Sequence, residues 1–414
     1  MKVLWLTNMP VPELAGQIGL PELPYGGWLV GFFEYLKTQR EVAVVTCFLG
    51  QEWGEGEVAA GRYYSFPPAR VVNRRYLDAL TARFRAVLRA EKPDVIHLFG
   101  TEFAHTCAMA QAAGAEGLAQ RVVVNIQGVC SVGAQRYYDL LPRWVIYRPS
   151  LHDAYRMSFI WLQRMNFRAK ERYERIALQS AAHIIGRTDW DEALTAQANP
   201  AATYHFCNEI LRPAFYRQEP AWDLARCERH TLFMGQGGYP IKGLHAAIEA
   251  LAIVAKSVPD TTLLVAGPTL RRGSYERYVA QLIRRHGLQR SVRFLGPLCE
   301  EEMRERLAKS HVLILPSFAE NESNTVSEAK AVGTPVVASF VGGLPNRIRQ
   351  GEDGFCYPSN APYMLAHYVL RLFADDALAL SFSGAGRAAA KRLFDPETNG
   401  RALLGIYANI AEGK

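Results

Sequence analysis

The chain has no apolar run approaching the roughly 18–20 residues that a bilayer-spanning helix needs, so no such helix is expected. Its opening MKVLWLTNMP is too short in its apolar part for a secretion signal and reads as a buried strand. Seven cysteines (Cys47, Cys107, Cys130, Cys207, Cys227, Cys299, Cys356) are odd in number and scattered, and none forms a C-x-x-C pair. That pattern argues against a disulfide framework and a zinc site, and a cytoplasmic compartment is expected. No His, Cys and acid spacing suggests a bound metal. No G-x-G-x-x-G follows the first strand, which argues against a dinucleotide-dependent dehydrogenase. Short-period repeats and low-complexity tracts are also lacking.

What is present is an ordinary globular composition, 49% hydrophobic and 21% charged. At 414 residues the chain exceeds one comfortable core, so two domains are expected. The net charge of +7 is unevenly placed: Arg136 to Arg175 holds nine Arg and Lys against four acids. Tyr137, Tyr138, Trp144, Tyr147, Tyr155, Phe159, Trp161, Phe167 and Tyr173 interleave with them. Basic residues among aromatics suit an anionic membrane surface, a phosphate-bearing acceptor or nucleic acid. A long helix with its aromatics in the core and its arginines in water fits the same pattern.

Apolar strand-like runs alternate with helix-length segments throughout. Strands are expected at Val3–Thr7, Val42–Cys47, Val95–Phe99, Val122–Ile126 and His183–Gly186. A second set is expected at Thr231–Met234, Thr262–Ala266, Val292–Leu295, Val312–Leu315 and Val336–Ala338. Helical patterns occupy Gly243–Val258, Tyr275–His286 and Glu301–Ser310. Alternation of this kind gives parallel sheets covered on both faces. The rhythm breaks between Asn208 and Arg229, which marks a linker between two doubly wound domains of about five strands each. In such sheets ligands lie beyond the carboxyl ends of the strands.

The richest strand end is the block from Pro316 to Pro335. Polar residues Glu320 to Asn324 form a loop, and Thr325 or its neighbour opens a helix that stops at Gly333. Free amides at such a helix start suit a diphosphate, and Glu320 and Glu328 flank it. Thr325-x-x-Glu328 also fits a capping box, which by itself explains Glu328 but not the crowd of Glu320, Glu322 and Asn324. A second motif, Met234-Gly235-Gln236-Gly237-Gly238 leading to Lys242 and Gly243, places glycines and an ammonium at the head of a helix. In the first half, Tyr25-Gly26-Gly27-Trp28 enters a helix from Trp28 to Leu36. Glu102 and His105 lie past the end of one strand and Gln127 at the end of the next. His97 reads as core. Asp189 and Asp191, superficially a D-x-D metal motif, read as helix-start acids after Thr188.

The 316–335 block, with Gly342, Gly343 and Pro345 after the next strand, resembles the E-x7-E signature of the retaining GT-B glycosyltransferases of family 4. That resemblance implies an α/β GT-B fold, two Rossmann-like doubly wound parallel-sheet domains facing across a cleft. Residues 1–212 would form the acceptor-side domain and 213–396 the nucleotide-sugar domain, with the helix at 397–414 packing back on the first. It also implies transfer of a sugar from a nucleotide diphosphate donor, a UDP-sugar, to a saccharide or lipid-linked acceptor with retention of configuration. No metal or other cofactor would be needed. Glu320 would contact the donor sugar near its reacting carbon and Glu328 the ribose. Amides around Ser323, Asn324 and Thr325 would hold sugar and phosphates. Lys242, Gln236 and Gly237 would line the diphosphate, with Gly26 and Gly27 close by; Glu102, His105 and Gln127 are the acceptor-side candidates, and Glu320, Lys242 and His105 are the expected catalytic residues. Where the family commonly has arginine, this chain has Gln236, and Glu320-Asn321-Glu322-Ser323 replaces the frequent E-G-F-G. A catalytically weak subunit that binds sugar nucleotide or a partner enzyme, and a sugar-nucleotide epimerase, are the competing expectations. Nucleic acid is not an expected partner, and peripheral contact with the membrane's inner face is.

Overall fold

The computed structural model describes residues 1–20, 27–69, 71–267 and 273–413. They form two compact units. The first comprises Met1–Ser131, Ala169–Leu211 and Phe394–Lys414, the second Val132–Arg168 and Arg212–Leu393.

The first unit is built on an eight-stranded sheet: β1 (Lys2–Thr7), β2 (Ala43–Leu49), β3 (Gly54–Val58), β4 (Gly61–Phe66), β5 (Val95–Phe99), β6 (Val122–Asn125), β7 (His183–Gly186) and β8 (Thr203–Phe206). Their order is β3-β4-β2-β1-β5-β6-β7-β8, parallel except for β3, which pairs antiparallel with β4. Apolar residues on β1 and β5 are buried on both sheet faces, as strands covered by helices require. The C-terminal helix Pro396–Ala411 belongs to this core. Trp5 Nε1 donates to the Tyr407 hydroxyl at 3.1 Å, and Tyr407 lies 2.6 Å from His97 Nδ1. His97 is fully buried on β5, and burial pushes its imidazole down to about 3.

The second unit carries six parallel strands: β9 (Glu228–Met234), β10 (Thr262–Ala266), β11 (Val292–Gly296), β12 (Ser310–Leu315), β13 (Val336–Ser339) and β14 (Phe355–Tyr357). The order β11-β10-β9-β12-β13-β14 is that of a dinucleotide-type doubly wound sheet. The chain winds outward from β9 in one direction, then returns to β12 and winds outward in the other. The crevice outside the carboxyl ends of β9 and β12 is therefore the topological switch point, where such sheets bind ligands.

Several elements differ from expectation. The hairpin β3–β4 carries glycine and charge on half-exposed positions, so the apolar alternation of a strand is absent from its sequence. β8 and β14 are four and three residues long, too short for a periodic signal. The sheets hence hold eight and six strands instead of about five each. Strand β9 begins at Glu228, within the expected linker, which also holds a 3-10 turn at Pro213–Tyr216. Residues 132–168, assigned from sequence to the first domain, group with the second. Asp153 is one tie between them. Its buried carboxylate accepts from Ser150 N (2.7 Å), from Ser150 Oγ (2.8 Å) and from Ser274 N (2.9 Å), at the start of helix Ser274–Arg285. Burial alone would raise its pKa, but these donors hold the carboxyl below its usual range. His245 adds a bond to the Asp139 carbonyl at 3.0 Å, and Trp144 meets Tyr278 edge to face at 5.7 Å.

Two outcomes follow from these cores. His97 is neutral when folded but takes a proton below its ordinary pKa when unfolded, so stability present above about pH 6.5 declines as the pH falls towards 3. Buried histidines of this kind each contribute a slope of roughly 1.4 kcal/mol per pH unit. In urea melts across that range His97→Gln should flatten the decline, and an unchanged slope contradicts the account. Asp153→Ala should make trypsin cut after the exposed Arg156 about tenfold faster, since a charge-assisted pin of this kind contributes roughly 1.5–3 kcal/mol. Equal cleavage rates contradict the role given to Asp153.

Candidate functional site

Strand β9 ends at Met234 and runs through Gly235–Gly238 into a 3-10 turn at Pro240–Lys242, then helix Leu244–Ser257. Gly243 has φ +76°, and a Cβ there would lie 1.9 Å from the Pro316 carbonyl oxygen. Only glycine lets this turn press against the loop that leaves β12. The contact brings the two strand ends together. Lys242 Nζ lies 2.6 Å from Glu320 Oε1, and Ser317 Oγ donates to the same oxygen at 2.7 Å. Burial works to lower the Lys242 pKa, but the Glu320 carboxylate outweighs it and the net shift is upward. The ammonium is thus a fixed cation at the switch point, with 21% of its side chain exposed.

The loop from Ser317 to Ser323 is held from below. Ser339 Oγ donates to the Ser317 carbonyl at 2.5 Å, and Gly343 N donates to the Asn321 carbonyl at 2.8 Å. Glu322, almost fully buried, pairs with Arg347 at 2.6 Å, so its carboxylate serves the loop's shape. Lys330 reaches the Arg347 carbonyl and pairs with Asp353 at 2.8 Å. Buried pairs of this kind are costly to break singly, because the remaining charge is left without its counterion.

Helix Asn324–Val332 starts after Ser323, which makes no side-chain cap. Gly333, φ +96°, closes its other end, with Thr334 N bonded to the Ala329 carbonyl. The capping box that Thr325 and Glu328 allowed is not formed. Glu328 instead meets Arg212, whose Nε and Nη2 lie 2.8 and 2.7 Å from Oε1. The helix start therefore presents amides beside Thr325, and a Cβ on Gly235 would sit 2.7 Å from Thr325 Cγ2. Ser323, Asn324, Thr325, Glu328, Glu320, Lys242 and Gly237 all belong to these adjoining strand ends. Gln236 turns aside: its Oε1 accepts from Gly238 N at 3.3 Å and lies 2.1 Å from where a Cβ on Gly267 would be. It staples the glycine turn and adds no charge.

In the first unit, Gly27 begins helix Gly27–Lys37, while Gly26 lies outside the described residues. Glu102 is partly exposed, and burial around its carboxyl raises its pKa. His105 is buried in helix Ala104–Ala115, stacked on Phe103 at 4.9 Å, and burial lowers its imidazole to about 3. Gln127 donates to Asn125 Oδ1 at 2.8 Å. Asp191 accepts from Arg187 N at 3.0 Å, and Thr188 Oγ1 accepts from Asp191 N, so this stretch is a helix cap. Among the described residues no group of three His, Cys, Asp or Glu side chains is arranged to hold a metal ion. Arg212 and Arg347 were not singled out from sequence; neither lies in a motif, and only the fold brings them to Glu328 and Glu322.

Residues 221–389 match the family model described as glycosyl transferases group 1. This segment is a group 1 glycosyl transferase domain. It contains Lys242, Glu320 and Glu328. The chain is 33% identical over 187 residues to a glycogen synthase of Mycobacterium tuberculosis, covering 44% of this chain and 43% of that one. It is 31% identical over 173 residues to a D-inositol 3-phosphate glycosyltransferase of Streptomyces scabiei, covering 41% and 39%. It thus spans less than half the length of these curated relatives. Among solved structures, sucrose-phosphate synthase from Thermosynechococcus elongatus superposes with a TM-score of 0.74 at 17% identity, covering both chains fully. Anabaena HepE in complex with UDP-glucose gives 0.69 at 19%, covering 99% of this chain and 100% of the other. At such identities the likeness speaks for the fold, two Rossmann-like parallel-sheet domains of GT-B type.

Proposed function

We propose that the chain is a retaining, metal-independent glycosyltransferase that moves a sugar from a UDP-sugar to a saccharide or lipid-linked acceptor. The observation that carries this reading is the Lys242 ammonium locked against Glu320 beside the uncapped start of helix Asn324–Val332. Leaving-group departure releases a diphosphate and builds positive charge at the anomeric carbon. A site for that chemistry stabilises the departing dianion with donors already in place. The helix-start amides and Lys242 supply such donors without a divalent ion. Glu320, oriented by Lys242 and Ser317, is placed to bind the donor sugar, and its role is positioning rather than attack. Glu328, steadied by Arg212, is assigned the ribose hydroxyls. Glu102, His105 and Gln127 keep their acceptor-side assignment, with buried His105 as a positioning residue, and Gly26 and Gly27 theirs beside the phosphates.

Gln236 favours a second reading, a chain that binds sugar nucleotide with weak or no turnover, because the bidentate cation common at that position is absent. Incubation with a panel of UDP- and GDP-sugars separates the two. Turnover that falls by about 100-fold or more in Lys242→Ala and Glu320→Ala supports transfer. Unaffected rates contradict it, and donor binding without transfer or hydrolysis throughout the panel favours the second reading.

We also propose a cytoplasmic chain that touches the inner face of the membrane through the basic aromatic stretch. No described helix is long and apolar enough to cross a membrane. Tyr147, Leu151, Tyr155, Met157 and Met165 are exposed in the second unit, among exposed Arg143, Arg148, Arg156 and Arg168. Arg164 is occupied, bonded to the Ala134 carbonyl at 2.8 Å and lying over the Tyr138 ring. Co-sedimentation with anionic vesicles should drop about fivefold for each of Arg148→Gln and Arg168→Gln. Retention of full binding in the double variant contradicts this contact.

A further inference from the structure

A polar cavity of about 310 Å³ lies within the second unit; its lining reaches Gly238 and Pro240 of the turn before Lys242 but includes neither Lys242 nor Glu320. His152, Arg156, Gln163, Gly238, Tyr275 and Glu276 are among the residues that line it. Its polar groups are not equally available. Gln163 is spent between the Tyr137 hydroxyl and the Ser158 carbonyl, and Tyr275 holds His245 Nδ1 at 3.1 Å. Asp153, also in the lining, is consumed by the Ser150 and Ser274 donors. Glu276 folds back over its own helix start, its Oε2 lying 2.3 Å from where a Cβ on Gly273 would be. By contrast, no ion pair or hydrogen bond among the described residues engages the Arg156 guanidinium, and His152 Nδ1 is buried without a partner. The Arg156 guanidinium left on the cavity wall therefore suits an anion that accepts several hydrogen bonds, with the His152 ring beside it.

These two residues stand on helix Leu151–Arg156, four apart, and share one face. Leu151 and Tyr155, also four apart, form the adjacent stripe and are 93% and 85% exposed. Met157, at the helix end, is 65% exposed. One short helix so carries an apolar stripe open to the surroundings and, one residue further round, His152 and Arg156 on the wall of a cavity. Water alone gives no reason for the first stripe, and a soluble anion gives none for the pairing of both.

We propose that the cavity takes the phosphate of an amphiphile whose apolar part lies along Leu151 and Tyr155. The ligand class is a phosphate monoester presented at a lipid surface. This deepens the membrane-side reading above and names what the lipid-linked partner offers to the protein; it does not depend on turnover.

Vesicles of phosphatidylcholine, matched in surface charge by phosphatidic acid in one set and by oleate in the other, test it. General electrostatic attraction treats the two alike. The full chain should prefer the phosphatidic acid vesicles by about fivefold or more. Arg156→Gln and His152→Gln should each reduce that preference, whereas Arg148→Gln, outside the cavity, should weaken both sets equally. Glu276→Gln should strengthen the preference by removing a nearby negative charge, and Leu151→Ser should weaken it. Equal partition of the unaltered chain, or a preference that Arg156→Gln leaves intact, overturns the proposal. Glycerol 3-phosphate that protects Arg156 from phenylglyoxal equally well in the unaltered chain and in Leu151→Ser, with vesicle preference unchanged by that substitution, also overturns it and assigns the cavity to a free phosphate. UDP binding measured on the same preparations reports on the donor site alone. A chain that binds no UDP yet keeps its headgroup preference contradicts the transferase reading and leaves this one standing.

Discussion

The close approach of Gly243 to the Pro316 carbonyl is the constraint on which the donor-site geometry depends. It places the turn after β9 directly on the loop after β12, so that Lys242 and Glu320, 78 residues apart, meet at 2.6 Å. A side chain at position 243 would push the two strand ends apart. The ion pair then fixes both partners: the carboxylate keeps the ammonium charged despite its burial, and the ammonium orients the carboxylate. Around this centre the chain spends buried charge on shape. Arg347 with Glu322 and Lys330 with Asp353 hold the loop rigid from beneath, and rigid first contacts are what a site needs to stabilise charge that appears only during reaction.

Much of this was legible in the sequence because the relevant signals are local. A polar loop between a buried strand and a helix that ends in glycine announces an anion site at a strand end, and Pro316 to Gly333 has that form. Five of the six strands of the second sheet contain an apolar stretch that registers by itself, and the three-residue β14 does not. The glycine turn and Lys242 are likewise contiguous.

Contacts between distant segments leave no such trace. Arg212 stands alone in a region that reads as linker, and its meeting with Glu328 comes only from the fold. Asp153 looked like one acid among many bases. Its role in attaching residues 132–168 to the helix at Ser274 is carried by a single carboxylate and the backbone amides it satisfies. The β3–β4 hairpin was missed because its residues are half-exposed, so nothing enforces apolar alternation there. Gln236 marks the boundary between the two kinds of information. Sequence comparison with the family pattern reveals the missing cation, and only the structure reveals that the amide has become a staple over Gly267.

The most direct measurement is a crystal structure of the chain with UDP or a UDP-sugar bound. The account predicts the diphosphate at the start of helix Asn324–Val332, within hydrogen-bonding reach of the amides near Thr325 and of Lys242, with Glu328 on the ribose. Nucleotide bound away from Glu320 and Lys242, or density only at the cavity beside Arg156, would contradict it.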